Sequence, residues 1–149
     1  MKKLLLLAIA GAAAWWLARQ PAEAPRERDG EPSAYTAGEA EDRIAVAFAN
    51  RERGVAVEGR GRVEKLLGDD SLGDRHQRFI LRLPSGQTVL VTHNIDLAPR
   101  VEPLAVGDTV AFRGEYEWND KGGIVHWTHH DPAGRRPGGW LKHEGRTFE

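Results

Sequence analysis

Three kinds of hydrophobic spacing follow one another along the chain: an unbroken apolar run, then a spacing of about four, then a spacing of two. The unbroken run, Leu4 to Ala18 behind Lys2 and Lys3, predicts a signal or anchor helix over residues 1–18. It is short for a membrane span, which takes about 20 residues, although Trp15 and Trp16 would suit the far interface. Ala22-Glu23-Ala24 has the small-x-small form of a cleavage site, but Pro25 directly behind it is a poor neighbour for a signal peptidase. A retained anchor in the inner membrane is therefore expected. The paired lysines would stay in the cytoplasm and the folded part would lie in the periplasm, or be secreted there if the leader is cut. Residues 19–35 are Pro, Glu, Arg, Gly and Asp with almost nothing to bury, and read as a flexible polar tether.

The spacing of about four begins at Thr36, which with Glu39 makes a capping-box pattern. Ala40, Ile44, Ala47 and Phe48 then recur on one side, predicting a single amphipathic helix that ends at Gly54. From there the period is two. Strands are predicted over Val55 to Leu66, His76 to Leu83 and Thr88 to Ile95, with Gly59 and Gly61 marking a bend or close backbone approach in the first. A connector, Leu97 to Gly107, leads to the clearest strand, with Val110, Phe112, Tyr116 and Trp118 on one side and Arg113, Glu115 and Glu117 on the other. Asn119 to Gly122 turns it into a fifth strand, Gly123 to His130.

In the register that keeps the apolar side continuous, Tyr116 faces Val125 and Gly114 faces Trp127, while Glu115 faces His126 and Arg113 faces Thr128 on the other side. Residues 36–149 thus read as one mainly β domain: a small five-stranded antiparallel OB-like barrel with one preceding helix. In OB-folds the helix usually lies between strands three and four, so a sandwich or another small barrel stays open. The Gly/Pro/Arg tail from Ala133 to Gly139 reads as a loop, with Trp140 docking the end of the chain.

Composition changes this picture in two places. A net charge of -1 gives no global pull toward nucleic acid, and the aromatics fall mostly on the core side, so nucleic acid is not expected as a ligand. The absence of cysteine excludes disulfides, thiolate zinc sites, cysteine nucleophiles and an acylated lipoprotein cysteine. What remains is histidine. All six lie between His76 and His143, and three fall in His126-Trp127-Thr128-His129-His130-Asp131.

Imidazole with carboxylate suits borderline divalent metals such as zinc, so His126, His129, His130 and Asp131 are candidate ligands, with His93, Asp96 or His76 from neighbouring strands. Along a strand His129 points away from His126 and His130, so convergence requires the strand to end or bulge near Thr128. Candidates for proton transfer are His126 with Glu115 and His93 with Asp96, a carboxylate fixing the tautomer of a histidine. The plain alternative is that Asp96 caps the connector and the histidines pack. No serine sits on a strand-to-helix elbow, so a serine nucleophile is not expected.

The runs His76-Gln77-Arg78-Phe79-Ile80-Leu81, His93 to Arg100, Gly114 to Asn119 and His126 to Pro132 are long and unusual. On them the chain resembles a bacterial domain-of-unknown-function family, number 3465, from about Ile44 to the C-terminus. The resemblance implies an exported, anchored bacterial protein and carries no activity, cofactor or catalytic residue. Taken together, the sequence favours a membrane-tethered extracytoplasmic domain whose polar face groups His93, Glu115, His126 and His130. It favours binding a ligand (a small molecule, glycan or envelope protein) or a metal ion over catalysis. A metal- or His-dependent hydrolase of an anionic substrate such as a phosphodiester, and a purely structural envelope interaction domain, stand as alternatives.

Overall fold

The computed structural model describes residues 36–149; the expectations about an anchor and a tether fall outside the described residues. Within them the chain runs α1 (Ala37–Ala49), β1 (Arg53–Asp70), β2 (His76–Arg82), β3 (Thr88–Asn94), β4 (Thr109–Glu117), β5 (Ile124–His126), β6 (Trp140–His143) and β7 (Arg146–Phe148). No helix among the described residues is long and apolar enough to cross a membrane.

The helix starts where its cap predicts. Thr36 Oγ1 accepts from the Glu39 amide at 3.4 Å, and the Glu39 carboxylate accepts from the Thr36 amide at 2.8 Å. It stops earlier than Gly54, because Asn50 caps it and Arg51 takes a left-handed φ of 55°. The amides of Arg51 and Glu52 bond back to Phe48 and Ala47 at 3.1 and 2.9 Å, which closes the last turn without a glycine.

Strand β1 is long enough to serve two partners. Its first part, Arg53 to Arg62, pairs antiparallel with β4, and its second part, Arg62 to Asp70, pairs antiparallel with β2. The two glycines sit at the changeover, as expected. A Cβ on Gly59 would lie 3.0 Å from the Phe112 ring, and one on Gly61 2.9 Å from the Arg82 carbonyl. Bulges at Glu64 and past Leu67 bend the strand further.

Five strands close into a ring, β1-β2-β3-β5-β4 and back to β1. Four of the five seams are antiparallel, and β3–β5 is parallel through Leu90↔Ile124 and Val91↔Val125. This corrects the all-antiparallel expectation, and the reason is parity: directions cannot alternate all the way around a closed ring with an odd number of strands. The sheet is mixed and has seven strands rather than five. Past the predicted loop, β6 pairs with β4 and β7 pairs with β6, so the end of the chain forms a hairpin on the ring. Leu141 and Phe148 carry it into the core; Trp140 stays half-buried.

The inside of the ring is filled by Val57, Val63, Phe79, Leu81, Val89, Val91, Val110, Phe112, Tyr116 and Val125, with Ile44 and Ala47 of the helix packed against them. Each such large apolar side chain contributes about 1.5–3 kcal/mol when fully buried. Two polar side chains bind loops to this core. Gln77 bonds both the amide and the carbonyl of Val101 in the connector, at 2.9 and 3.0 Å. The Tyr116 hydroxyl donates to Gly122 O at 3.0 Å, and burial raises its pKa.

Candidate functional site

The period-two alternation of β4 turns Phe112, Gly114 and Tyr116 inward and Arg113, Glu115 and Glu117 outward. Pairing with β5 follows the predicted register at Tyr116↔Val125 and Glu115↔His126, and adds Glu117↔Ile124. Glu115 and His126 are thereby cross-strand neighbours on the outer side. His126 Nε2 lies 3.6 Å from Glu115 Oε1. That nitrogen is shielded from water and has no hydrogen-bond partner among the described residues, although the ring as a whole is partly exposed.

Glu117, two residues along the same strand, completes a group of three. One donor atom from each of Glu115, Glu117 and His126 lies within 4.8 Å of the others, the one group of that kind among the described residues. For a tetrahedral ion with ligands at about 2.1 Å, neighbouring donors are about 3.4 Å apart. The His126–Glu115 separation already matches. Glu117 is engaged by the Gly54 amide at 3.0 Å and the Arg53 guanidinium at 3.5 Å.

The other face of Glu115 is taken by Arg136, whose Nη1 donates to Oε2 at 2.8 Å. The guanidinium also lies over the Trp127 ring, 4.3 Å from its centroid. Asp131 sets this arm in place: its carboxylate accepts from the amides of Ala133, Arg135 and Arg136 at 2.8–3.0 Å, and these bonds, that of Ala133 foremost, hold its pKa below the usual carboxylate range. Beside the cluster a cleft of about 350 Å³ is lined by Arg113, Glu115, Trp127, Arg136 and a wall of glycines. A side chain on Gly139 would run into the carbonyls of Trp127 and Arg113, so the loop packs against β4 only with glycine there.

The remaining predicted residues lie elsewhere. His93 is not on the polar face: it is fully buried, with Nδ1 2.8 Å from the Thr128 hydroxyl and Nε2 3.0 Å from the Pro99 carbonyl. A carbonyl only accepts, so Nε2 carries the proton and Nδ1 accepts from Thr128. Burial lowers the pKa of the ring to about 4, which keeps it neutral. Both nitrogens being taken, there is no His93–Asp96 dyad. Asp96 instead accepts from the amide of Arg75 at 2.7 Å and from its guanidinium at 2.8 Å, and these bonds lower its pKa.

The strand does break near Thr128, but the break separates the histidines. Trp127 adopts φ 55°, which ends β5 at His126 and turns the indole away from Gly114; Thr128 and Val125 fill that inner space instead. His129 is buried against the Trp127 ring at 4.7 Å with Nδ1 2.7 Å from the His130 carbonyl, while His130 is exposed. Of His126, His129, His130 and Asp131, the structure brings only His126 to the carboxylates. His76 bonds the Asp74 carbonyl at 2.9 Å, and the buried His143 bonds Asp108 at 3.0 Å, tying β6 to the turn before β4. In sequence Glu117 stands among the carboxylates beside the histidine cluster without a ligand role, although its i, i+2 spacing with Glu115 puts it on the same face. Arg136, a candidate anion clasp together with Arg135, reads as a solvated loop arginine because a Gly/Pro loop gives no positional signal.

No curated protein matches the chain. The model of one family, described as "Protein of unknown function (DUF3465)", matches residues 32–149, which takes in the ring, the C-terminal hairpin and the whole Glu115–Glu117–His126 cluster. The chain belongs to the DUF3465 family.

Proposed function

We propose that this protein is an extracytoplasmic metal-binding domain, tethered through residues 1–18, that holds a divalent ion of the zinc class with His126, Glu115 and Glu117. One observation carries the reading: a water-shielded imidazole nitrogen without a hydrogen-bond partner among the described residues, 3.6 Å from a carboxylate oxygen in a three-donor cluster. Leaving such a nitrogen unsatisfied costs about 1–3 kcal/mol, and an ion would remove that cost. One imidazole and two carboxylates suit zinc or manganese and leave a position open for water or a ligand. The ring order with its single parallel seam supports the finer reading of the fold as an OB-like barrel.

A second reading, hydrolysis of an anionic substrate at the bound ion, draws on the adjoining cleft, where Arg113 and Arg136 supply positive charge beside Glu115. The test of the primary reading is direct. The full chain, stripped with a chelator and titrated with zinc against a chromophoric competitor, takes up one ion per chain; absence of saturable uptake overturns the proposal. Turnover of a phosphodiester by the zinc-loaded chain, lost on chelation, would extend it to the second reading.

A further inference from the structure

A larger cleft, of about 550 Å³, lies on another part of the ring, where β1 leaves β4 for β2. Arg62 marks the changeover, pairing with Thr109 on one side and Arg82 on the other. The floor is apolar: Val63 and Leu83 are buried core residues whose edges reach the cleft, and Pro84 extends them outward. Gly61 lets β1 approach the Arg82 carbonyl so closely that no side chain could project there.

The rim is basic. Arg60, Arg62 and Arg82 face one carboxylate, Glu64, which pairs with Arg82. Arg62 donates to the Gly107 carbonyl at 3.1 Å, a bond that leaves its charge uncompensated, and Arg60 has no partner among the described residues. Two guanidiniums without a carboxylate partner among the described residues thus stand two residues apart on the outer face of β1, at the rim of a cleft whose apolar edge is Pro84 with the margins of the inward-facing Val63 and Leu83, in a chain whose net charge is -1. Like charges placed together without a counter-charge invite an anion, and a concave apolar floor invites hydrocarbon. The volume falls in the range of small-molecule sites, about 300–1,000 Å³.

We propose that this cleft binds an amphipathic anion, with a carboxylate, sulfonate or phosphate head between Arg60 and Arg62 and an apolar body over Val63, Leu83 and Pro84. The inference is independent of the metal reading. Its test is calorimetric titration of the full chain with decyl phosphate below its micelle concentration, beside decyltrimethylammonium and vesicles containing an anionic phospholipid. Because the apolar leader would itself take up amphiphiles, the charge-reversed variant R60E/R62E decides. Both positions are exposed, and an unchanged urea midpoint confirms that the variant folds. Expected is a saturable single site for the phosphate, weakened at least tenfold in R60E/R62E and weakened by salt. Uptake from vesicles alone, equally lost in the variant, would bear out the same anion chemistry with a bilayer as its source. The proposal is overturned if neither form binds, if the variant binds as the wild type does, or if the cationic amphiphile binds equally well.

Discussion

His93 and His126 stand on neighbouring strands of one ring, β3 and β5, and differ in every respect that decides what a histidine does. The His93 ring points inward with both nitrogens bonded, and burial keeps it uncharged. The His126 ring points outward, and its Nε2 has no hydrogen-bond partner among the described residues and lies beside two carboxylates. The first has no bonding capacity left for a ligand; the second has capacity that no described residue fills. Position in a histidine-rich stretch does not tell these apart, whereas the partners of each nitrogen do.

The comparison breaks most readily at His93. His93→Ala is expected to lower the unfolding free energy by about 3 kcal/mol or more, combining a core cavity with the stranded Thr128 hydroxyl and Pro99 carbonyl. Urea denaturation measures it, and a loss below about 1 kcal/mol would remove the structural role. The pH dependence is almost as large. The unfolded chain takes up the imidazole proton near 6.5 and the native chain only near 4, so stability is full above pH 6.5, declines as pH falls, and is lower by about 3 kcal/mol at pH 4. Denaturation across that window in wild type and His93→Gln isolates the contribution; equal slopes would show that His93 titrates normally.

On the other side, His126→Ala is expected to weaken zinc binding by about 100-fold, or ~2.7 kcal/mol, while unfolding free energy in the absence of metal falls by no more than about 0.5 kcal/mol, since removal of the unsatisfied nitrogen offsets the lost packing of the ring. A large stability loss without a change in zinc affinity would make the two histidines alike after all. Glu117→Gln gives the smallest effect, about tenfold in zinc affinity by the same competition assay, because the amide can still accept from Gly54 while losing the charge an ion would use. No change there would reduce the cluster to His126 and Glu115.

Much of this architecture was legible. The Thr36–Glu39 capping box, the alternation of β4 and the Glu115↔His126 register are local patterns, and local patterns survive folding. The inward turn of His93 was harder to read, since Thr88-Val89-Leu90-Val91-Thr92-His93 puts apolar and polar residues on both faces and leaves its parity undecided. The C-terminal hairpin eluded the pattern because β6 and β7 are too short for a period of two to show, and β4 supplies their pairing. The parallel seam also went against expectation, although an odd number of strands in a closed ring requires at least one. Trp127 was assigned to the core on hydrophobicity, and a positive φ at a bulky residue is a tertiary choice that no spacing announces.

The arm that carries Arg136 to Glu115 bears on how an ion would arrive. Arg136 holds Oε2 and leaves Oε1 toward His126, so an ion would meet a carboxylate already oriented and partly neutralised by its own chain rather than bare negative charge. Asp131 anchors the root of that arm through backbone amides, so the guanidinium would keep Glu115 in place whether or not an ion is bound.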